Sequence, residues 1–480
     1  MRIEVLLLIA KQFWVSIFKS RLLHLVMGIM VVLLFYAAYS GVSYHDQNHF
    51  RTDHQEKARE SWEGNPDKHP HRMAHFGTFA FRLKHPLSIF DFGIESYTGN
   101  AVFLEAHRQN MVNFSEAGFS TGILRFGELH MAMILQLILP LIIFFIGYSA
   151  IVSDRENGTL KILLTQGATW KEILFGRSLG LLAISCLFIF PFIITTVVLL
   201  IREGHTTPDE WGRLIMISLA YVTFAFILCL ITIVVSVSSR SSKNALLKLL
   251  GLWLLMTVFV PRTAQALGAH FHPTPTKLEF RAAIEEEVIE HGDSHDPSDP
   301  YFNALRDSVL KAHQVGDVSE LPFNYGGFVM AQGEKIDTEI YKKHQGQLLG
   351  QYRNQNQLTR WLAIVNPYLA VKNLSMALCG TDFESYVDFQ SQAERYRYNM
   401  SQKLNELQMK YISPKKLSGS EGKAHVVDSK EWKNMPDFQH HYLSLAKTLG
   451  NEALSIGSIL LWLSLSIGMV VHYSKTAKAI

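Results

Sequence analysis

The chain has 480 residues, of which 48% are hydrophobic and 18% charged, and its formal net charge is +3. Such a length allows more than one domain, and the near-neutral balance without a dense basic block argues against a nucleic-acid partner. Three cysteines are present. Cys186 and Cys229 lie in apolar runs and Cys379 stands alone, so no disulfide framework is expected.

Residues 1–21 carry an early Arg2 and a short apolar run that superficially suggests a signal peptide. Lys11 and Lys19 interrupt it, while Ile3, Leu6, Leu7, Ala10, Phe13, Trp14, Ile17 and Phe18 recur at helical spacing. The pattern predicts an amphipathic helix lying in a membrane interface. A span needs about 20 apolar residues to cross a hydrocarbon core of about 30 Å. Residues 22–44, 131–153, 178–201, 214–237 and 453–473 meet that requirement, and 246–268 does so if helix continues past Pro261. The expected fold is therefore mainly α, with six transmembrane helices.

Between the spans lie two long polar segments, 45–130 and 269–452. With membrane sequence between them, a single domain must be assembled from two separated pieces. Helix signals dominate both. Thr276 and Glu279 form a capping box ahead of the run 278–291. Tyr386, Phe389, Ala393, Tyr396, Met400, Leu404, Leu407 and Tyr411 recur every three or four residues, which predicts a long core-facing helix over 383–411. Residues 292–300 and 413–423 read as exposed loops.

Lysine and arginine near the span ends set orientation. Arg2, Lys11, Lys19 and Arg21, then Arg155, Lys161, Lys171 and Arg177, then Arg240, Lys243 and Lys248, and finally Lys475 and Lys478 fall on one side. That side is expected to be the cytoplasm, with both termini in it and both long polar segments outside.

Within the cytoplasmic loop 154–177, Gly158 permits a turn, and 159–165 can form a short helix with Leu160, Leu163 and Leu164 on one face. Gly167 ends that helix, and Thr169 with Glu172 caps the next one. A short helix pinned between two spans can receive a push from a soluble partner; the plain alternative is a connecting loop.

Glu156-Asn157-Gly158-Thr159-Leu160, followed by Gln166-Gly167 and Gly176, resembles the loop after the second span of ABC-2-type permeases. Pro261-Arg262, Pro273–Pro275, Asn366-Pro367, the run 374–378 and Gly380-Thr381-Asp382 extend the likeness. His71, His75-Phe76-Gly77 and Glu105-Ala106-His107 add to it from the first polar segment. Together they resemble a bacterial branch of that family with a large extracytoplasmic insertion. The resemblance implies an inner-membrane exporter subunit with a six-helix bundle, paired with a second copy or a related permease. It also implies that Glu156, Gly158, Thr159, Leu160 and Gly167 contact a separate cytoplasmic ATPase, which binds the ATP.

This chain has no G-x-x-x-x-G-K-[ST] loop, so no ATP hydrolysis and no cofactor of its own is expected. It also lacks H-E-x-x-H and paired aspartates in its apolar runs, so it is not expected to be an enzyme. An ion-coupled carrier is the rival reading. Against it, none of the six runs contains aspartate or glutamate, the usual carriers of proton or sodium coupling. A mechanical relay that moves an envelope partner without transporting anything needs the same loop and stays open. Histidines crowd the first polar segment; His69, His71 and His75 are the ones that could converge on a metal. Without a cysteine partner or a recognised metal pattern, the simpler expectation is structural histidines and no metal.

Overall fold

The computed structural model describes residues 1–112, 128–204, 207–415 and 425–478. Most of the expected loop at 413–423 lies outside them. Among the described residues the chain is mainly helical and holds six helices long and apolar enough to cross a membrane.

Helix α1 (Ile3–Phe18) is followed by α2 (Arg21–Glu63), one helix of 43 residues. At 1.5 Å per residue α2 is about 65 Å long, twice what a bilayer core needs. Its apolar half exposes Leu22, Leu25, Ile29, Val32, Phe35 and Tyr39, and its polar half ends at the buried Trp62. Then come α3 (Pro70–Phe76), strands β1 (Thr78–Phe81) and β2 (Ala101–Glu105), and the short β3 (Arg108–Gln109). They form an antiparallel sheet in the order β1-β2-β3, with Thr78 opposite Leu104 and Glu105 opposite Arg108.

The apolar bundle continues with α4 (Met131–Glu156), α6 (Trp170–Arg202), α7 (Pro208–Ser238) and α8 (Ser242–Phe271); the short α5 (Thr159–Thr165) lies between α4 and α6. Two spans carry one π turn each, over Ile134–Ile138 and Leu255–Phe259. Pro140 and Pro261 follow them by two residues. Proline has no N–H and crowds the preceding turn, so widening that turn keeps the helix continuous. This is how α8 passes Pro261 without ending.

The polar region then supplies α9 (Lys277–His291), α10 (Pro300–His313), α11 (Tyr325–Leu362), α12 (Pro367–Leu378) and α13 (Phe383–Tyr411), then the short α14 (Lys430–Lys433) and α15 (Leu445–Asn451). The last span is α16 (Ala453–Thr476). The capping box before α9 is present in full, Thr276 and Glu279 each satisfying the other's backbone N–H.

Two cores result. One fills the bundle. The other joins Trp62, Met73, Ala80, Val102 and Leu104 of the first polar segment to Phe389, Ala393, Met400, Leu404 and Leu407 of α13. Two pieces expected in the polar domain belong to the bundle core instead. The turn Pro86–Ile89 with Phe90, and the face of α12 bearing Leu369, Ala370, Val371 and Leu374, pack among the spans. At Gly41 of α2 a Cβ would lie 2.7 Å from the Ile89 carbonyl oxygen, so only glycine lets this turn enter. Arg213 of α7 docks α12 by donating to the carbonyl oxygen of Leu378 at 3.1 Å, near the negative end of that helix.

The two polar segments are joined across their core by Arg397 of α13, whose side chain is 1% exposed. Its guanidinium meets Glu334 Oε1 of α11 at 2.6 Å and grips both oxygens of Glu394 at 2.8 and 2.9 Å. It donates to Thr338 Oγ1 at 3.0 Å and to the Glu105 carbonyl oxygen, at the end of β2, at 3.1 Å. Methionine at position 397 leaves Glu334 buried without its cation, which is expected to cost about 3–5 kcal/mol. Urea unfolding of the detergent-held chain, followed by tryptophan fluorescence, checks this; an unchanged midpoint would remove Arg397 from its joining role.

His440 packs edge-on against Phe389 and Tyr442. Burial, then the nearby Arg82, lowers its pKa from 6.5 to about 3. Its contribution to stability is therefore complete above pH 6.5 and falls away as the pH drops toward 3. Thermal melts between pH 7.5 and 4 are expected to show a steeper loss for the native chain than for His440→Phe.

Candidate functional site

Two constellations carry chemistry, one in the loop after α4 and one in the polar domain. The first is built around the loop after α4. Gly158 takes φ +76° and Gly167 φ +88°, left-handed conformations that let the chain turn into and out of α5. Leu160 is fully buried beneath α5, whereas Glu156, Gly158, Thr159, Lys161, Ile162, Thr165 and Gly167 are exposed. The exposed face is thus short, convex and mixed in character.

Around it the loop is tied to four helices. Glu156 accepts from the backbone N–H of Ser242 at 3.0 Å and from its hydroxyl at 2.6 Å, placing a carboxylate at the positive N-terminus of α8. Asp154 pairs with Arg177 of α6 at 2.6 Å and accepts from Thr159 Oγ1 at 3.0 Å. Arg155 donates to the carbonyl oxygens of Val237 and Ser239 at the end of α7. Arg2 reaches from the start of α1 to Glu172, at 2.9 and 3.1 Å, and to the carbonyl oxygen of Gly167 at 2.5 Å. Glu172 also completes a capping box with Thr169.

The capping box is a local sequence signal, whereas Arg2–Glu172, Asp154–Arg177 and Glu156–Ser242 pair residues too far apart along the chain for any local pattern to join them. A Cβ on Gly176 would stand 2.9 Å from the Leu6 carbonyl oxygen and from Ile9, and one on Gly180 would stand 2.8 Å from the Ala10 carbonyl oxygen. Two glycines four apart let α1 lie directly on α6. The amphipathic helix is thus docked on the bundle through Leu6, Ile9 and Phe13, while Leu7 and Leu8 remain exposed.

The second constellation is in the polar domain. His71 and His75 stand one turn apart on α3, their Nε2 atoms 3.2 Å apart. His107, in the turn between β2 and β3 at φ +57°, brings a third ring. One nitrogen from each of the three lies within 4.8 Å of the others. Burial first, then neighbouring histidines, lowers the pKa of His71 to about 4 and of His107 to about 3, which keeps both rings neutral. His69 does something else. It stands at the N-cap of α3 and its Nδ1 accepts from the backbone N–H of His71 at 3.2 Å. His107 lies 36 positions beyond His71 in sequence, and only the sheet brings them together.

A further polar cluster sits inside the bundle. Asp91, 2% exposed, accepts from Ser375 Oγ of α12 at 2.5 Å and from Gln136 Nε2 of α4 at 3.4 Å. Gln136 and Ser375 each meet the Tyr221 hydroxyl of α7, at 2.7 and 3.0 Å. The spans have no carboxylate of their own in the apolar runs, but the inserted turn delivers one to them.

Residues 277–441 match the family described as Domain of unknown function (DUF3526). The match runs from α9 through α14, and so includes Glu334, Arg397 and α12. No curated protein matches the chain.

Valine at position 176 would push against backbone, not a flexible side-chain end, and is expected to lower stability by about 1–3 kcal/mol. Limited proteolysis should then release α1 while cutting the rest of the chain no faster; resistance equal to that of the native chain would refute the close-docking argument.

Proposed function

We propose that the chain is the membrane-spanning subunit of an ATP-binding cassette exporter of the ABC-2 type, driven by a separate cytoplasmic ATPase. The observation that carries this reading is the loop 154–169. Thr159, Lys161, Ile162 and Thr165 are exposed, while Asp154, Arg155, Glu156 and Gly167 bond the loop to α6, α7, α8 and α1. A soluble partner that displaced α5 would move four helices together, which suits a coupling element better than a plain connection. The motif resemblance in Glu156–Leu160 supports the same reading, as does the clustering of basic residues on that side of the bundle.

In this reading the loop, both termini and the α7–α8 turn are cytoplasmic, and the polar domain is extracytoplasmic. α2 and α8 are the least covered spans, each with 17% of its apolar window buried. They are the surfaces for lipid and for a second permease copy or a related one. The polar domain gates the exit or docks an envelope partner. The relay alternative uses the same loop and differs only in whether anything crosses the bilayer. The carrier alternative draws on Asp91, which puts a carboxylate among the spans.

Mild detergent extraction of the tagged chain from its native host is expected to co-purify an ATPase in near-stoichiometric amount. Valine at Gly158 meets open space but is strained at φ +76°, so it should stiffen the turn and uncouple ATP turnover from cargo movement. Absence of any ATPase from the native complex would shift the assignment to the carrier. Turnover without cargo movement in the native complex would shift it to the relay.

A further inference from the structure

The three-histidine cluster has features that simple ring packing does not explain. Neither ring nitrogen of His107 has a hydrogen-bond partner, although the side chain is only 8% exposed, and His71 Nδ1 is likewise buried without a partner. Buried polar atoms left in this way are costly, and each such group calls for a reason. The three rings also converge. Their centroids lie 4.6 Å apart for His71 and His75, and 5.5 Å from His107 to each. In a tetrahedral site with bonds of about 2.0–2.1 Å, neighbouring ligand nitrogens sit about 3.3 Å apart. The Nε2 atoms of His71 and His75 are already at 3.2 Å.

We propose that His71, His75 and His107 bind one divalent transition-metal ion of the zinc or copper class. Neutral imidazoles suit those ions and not magnesium or calcium, which take oxygen ligands. The surroundings fit a metal site as well. Glu334 Oε2 lies 3.5 Å from His107 Nδ1 and accepts the His107 backbone N–H at 2.9 Å, so a carboxylate fixes the ligand from behind. The converging nitrogens belong to these three rings, and a fourth ligand would come from His295 after a side-chain shift. Its ring lies 4.8 Å from that of His107, edge to face, with Asp293 Oδ1 at 3.4 Å from its Nδ1. His71, His75 and His107 come from the first polar segment, while His295 and Glu334 come from the second. An ion held here therefore ties the loop after α9 to α3 and the β2–β3 turn, and adds a metal-dependent link to the union that Arg397 and the shared core already make.

The test uses the full chain in detergent, without a polyhistidine tag, stripped with chelator and titrated with zinc alone by calorimetry. One zinc per chain is expected. His107→Gln and His71→Gln should each weaken binding by at least about 100-fold, and His295→Ala by about 10-fold, with His69→Gln unchanged. Cobalt(II) in place of zinc should give the visible absorption of a tetrahedral ion in the native chain. A zinc-induced rise in melting temperature should appear in the native chain and vanish in His107→Gln. The variants count only where their zinc-free melts match the native one. The native chain decides the matter even if they do not fold. No saturable zinc binding by it, or cobalt bound without a tetrahedral spectrum, overturns the proposal. So does zinc binding undiminished in the folded triple variant of His71, His75 and His107. None of these outcomes depends on whether an ATPase co-purifies.

Discussion

Arg397 is held by three acidic or hydroxyl side chains and one backbone carbonyl, with almost no water. Those partners come from both polar segments, and the chain between them passes through four helices of the bundle. A domain built from separated pieces cannot rely on neighbouring sequence to bring them together. Apolar burial supplies the attraction but tolerates many registers, whereas a desolvated guanidinium accepts only the arrangement that satisfies all its donors. Buried ion pairs add little net stability compared with apolar replacements, so the value of this one lies in selecting a single pairing. Glu334 shows the economy of the arrangement. One oxygen meets Arg397, and the other holds the turn that carries His107.

The boundary between bundle and polar domain is not a plane. The turn at Pro86–Ile89 and helix α12 enter the spans, and α2 and α11 run out of the bundle region as unbroken helices. Non-helical backbone inside an apolar bundle is tolerable only where protein covers it, and Gly41 permits that cover at the turn. The inserted pieces also carry polar atoms inward. Asp91, Ser375, Gln136 and Tyr221 satisfy one another there, which links α4, α7 and α12 through hydrogen bonds as well as packing.

The features legible in the sequence were those whose signal is local. Apolar runs announced six helices, the three-to-four spacing from Tyr386 to Tyr411 announced α13, and Thr169–Glu172 and Thr276–Glu279 announced helix starts. The sheet was not legible, because its strands have four, five and two residues. Period-two alternation needs more positions to stand out. The length of α2 was hidden because its second half is polar and reads as loop. His71 and His75 could be paired from their spacing, but His107 could not, and His69 looked equivalent until its capping role was visible. Arg2–Glu172 and Glu156–Ser242 are contacts between residues 170 and 86 positions apart, where no local rule applies.

The continuity of α2 has a geometric consequence. A helix about 65 Å long transmits rotation as displacement, and rocking it by 5° about one end moves the other by on the order of 5 Å. Its beginning lies beside α1 and α6, and its end lies in the polar core through Trp62, whose indole N–H donates to the Trp432 carbonyl oxygen at 3.0 Å. A tilt at the bundle end too small to disturb side-chain packing there is thus a full turn of helix in scale at the far end. The two ends share one rigid rod, and neither can be repositioned without the other registering it.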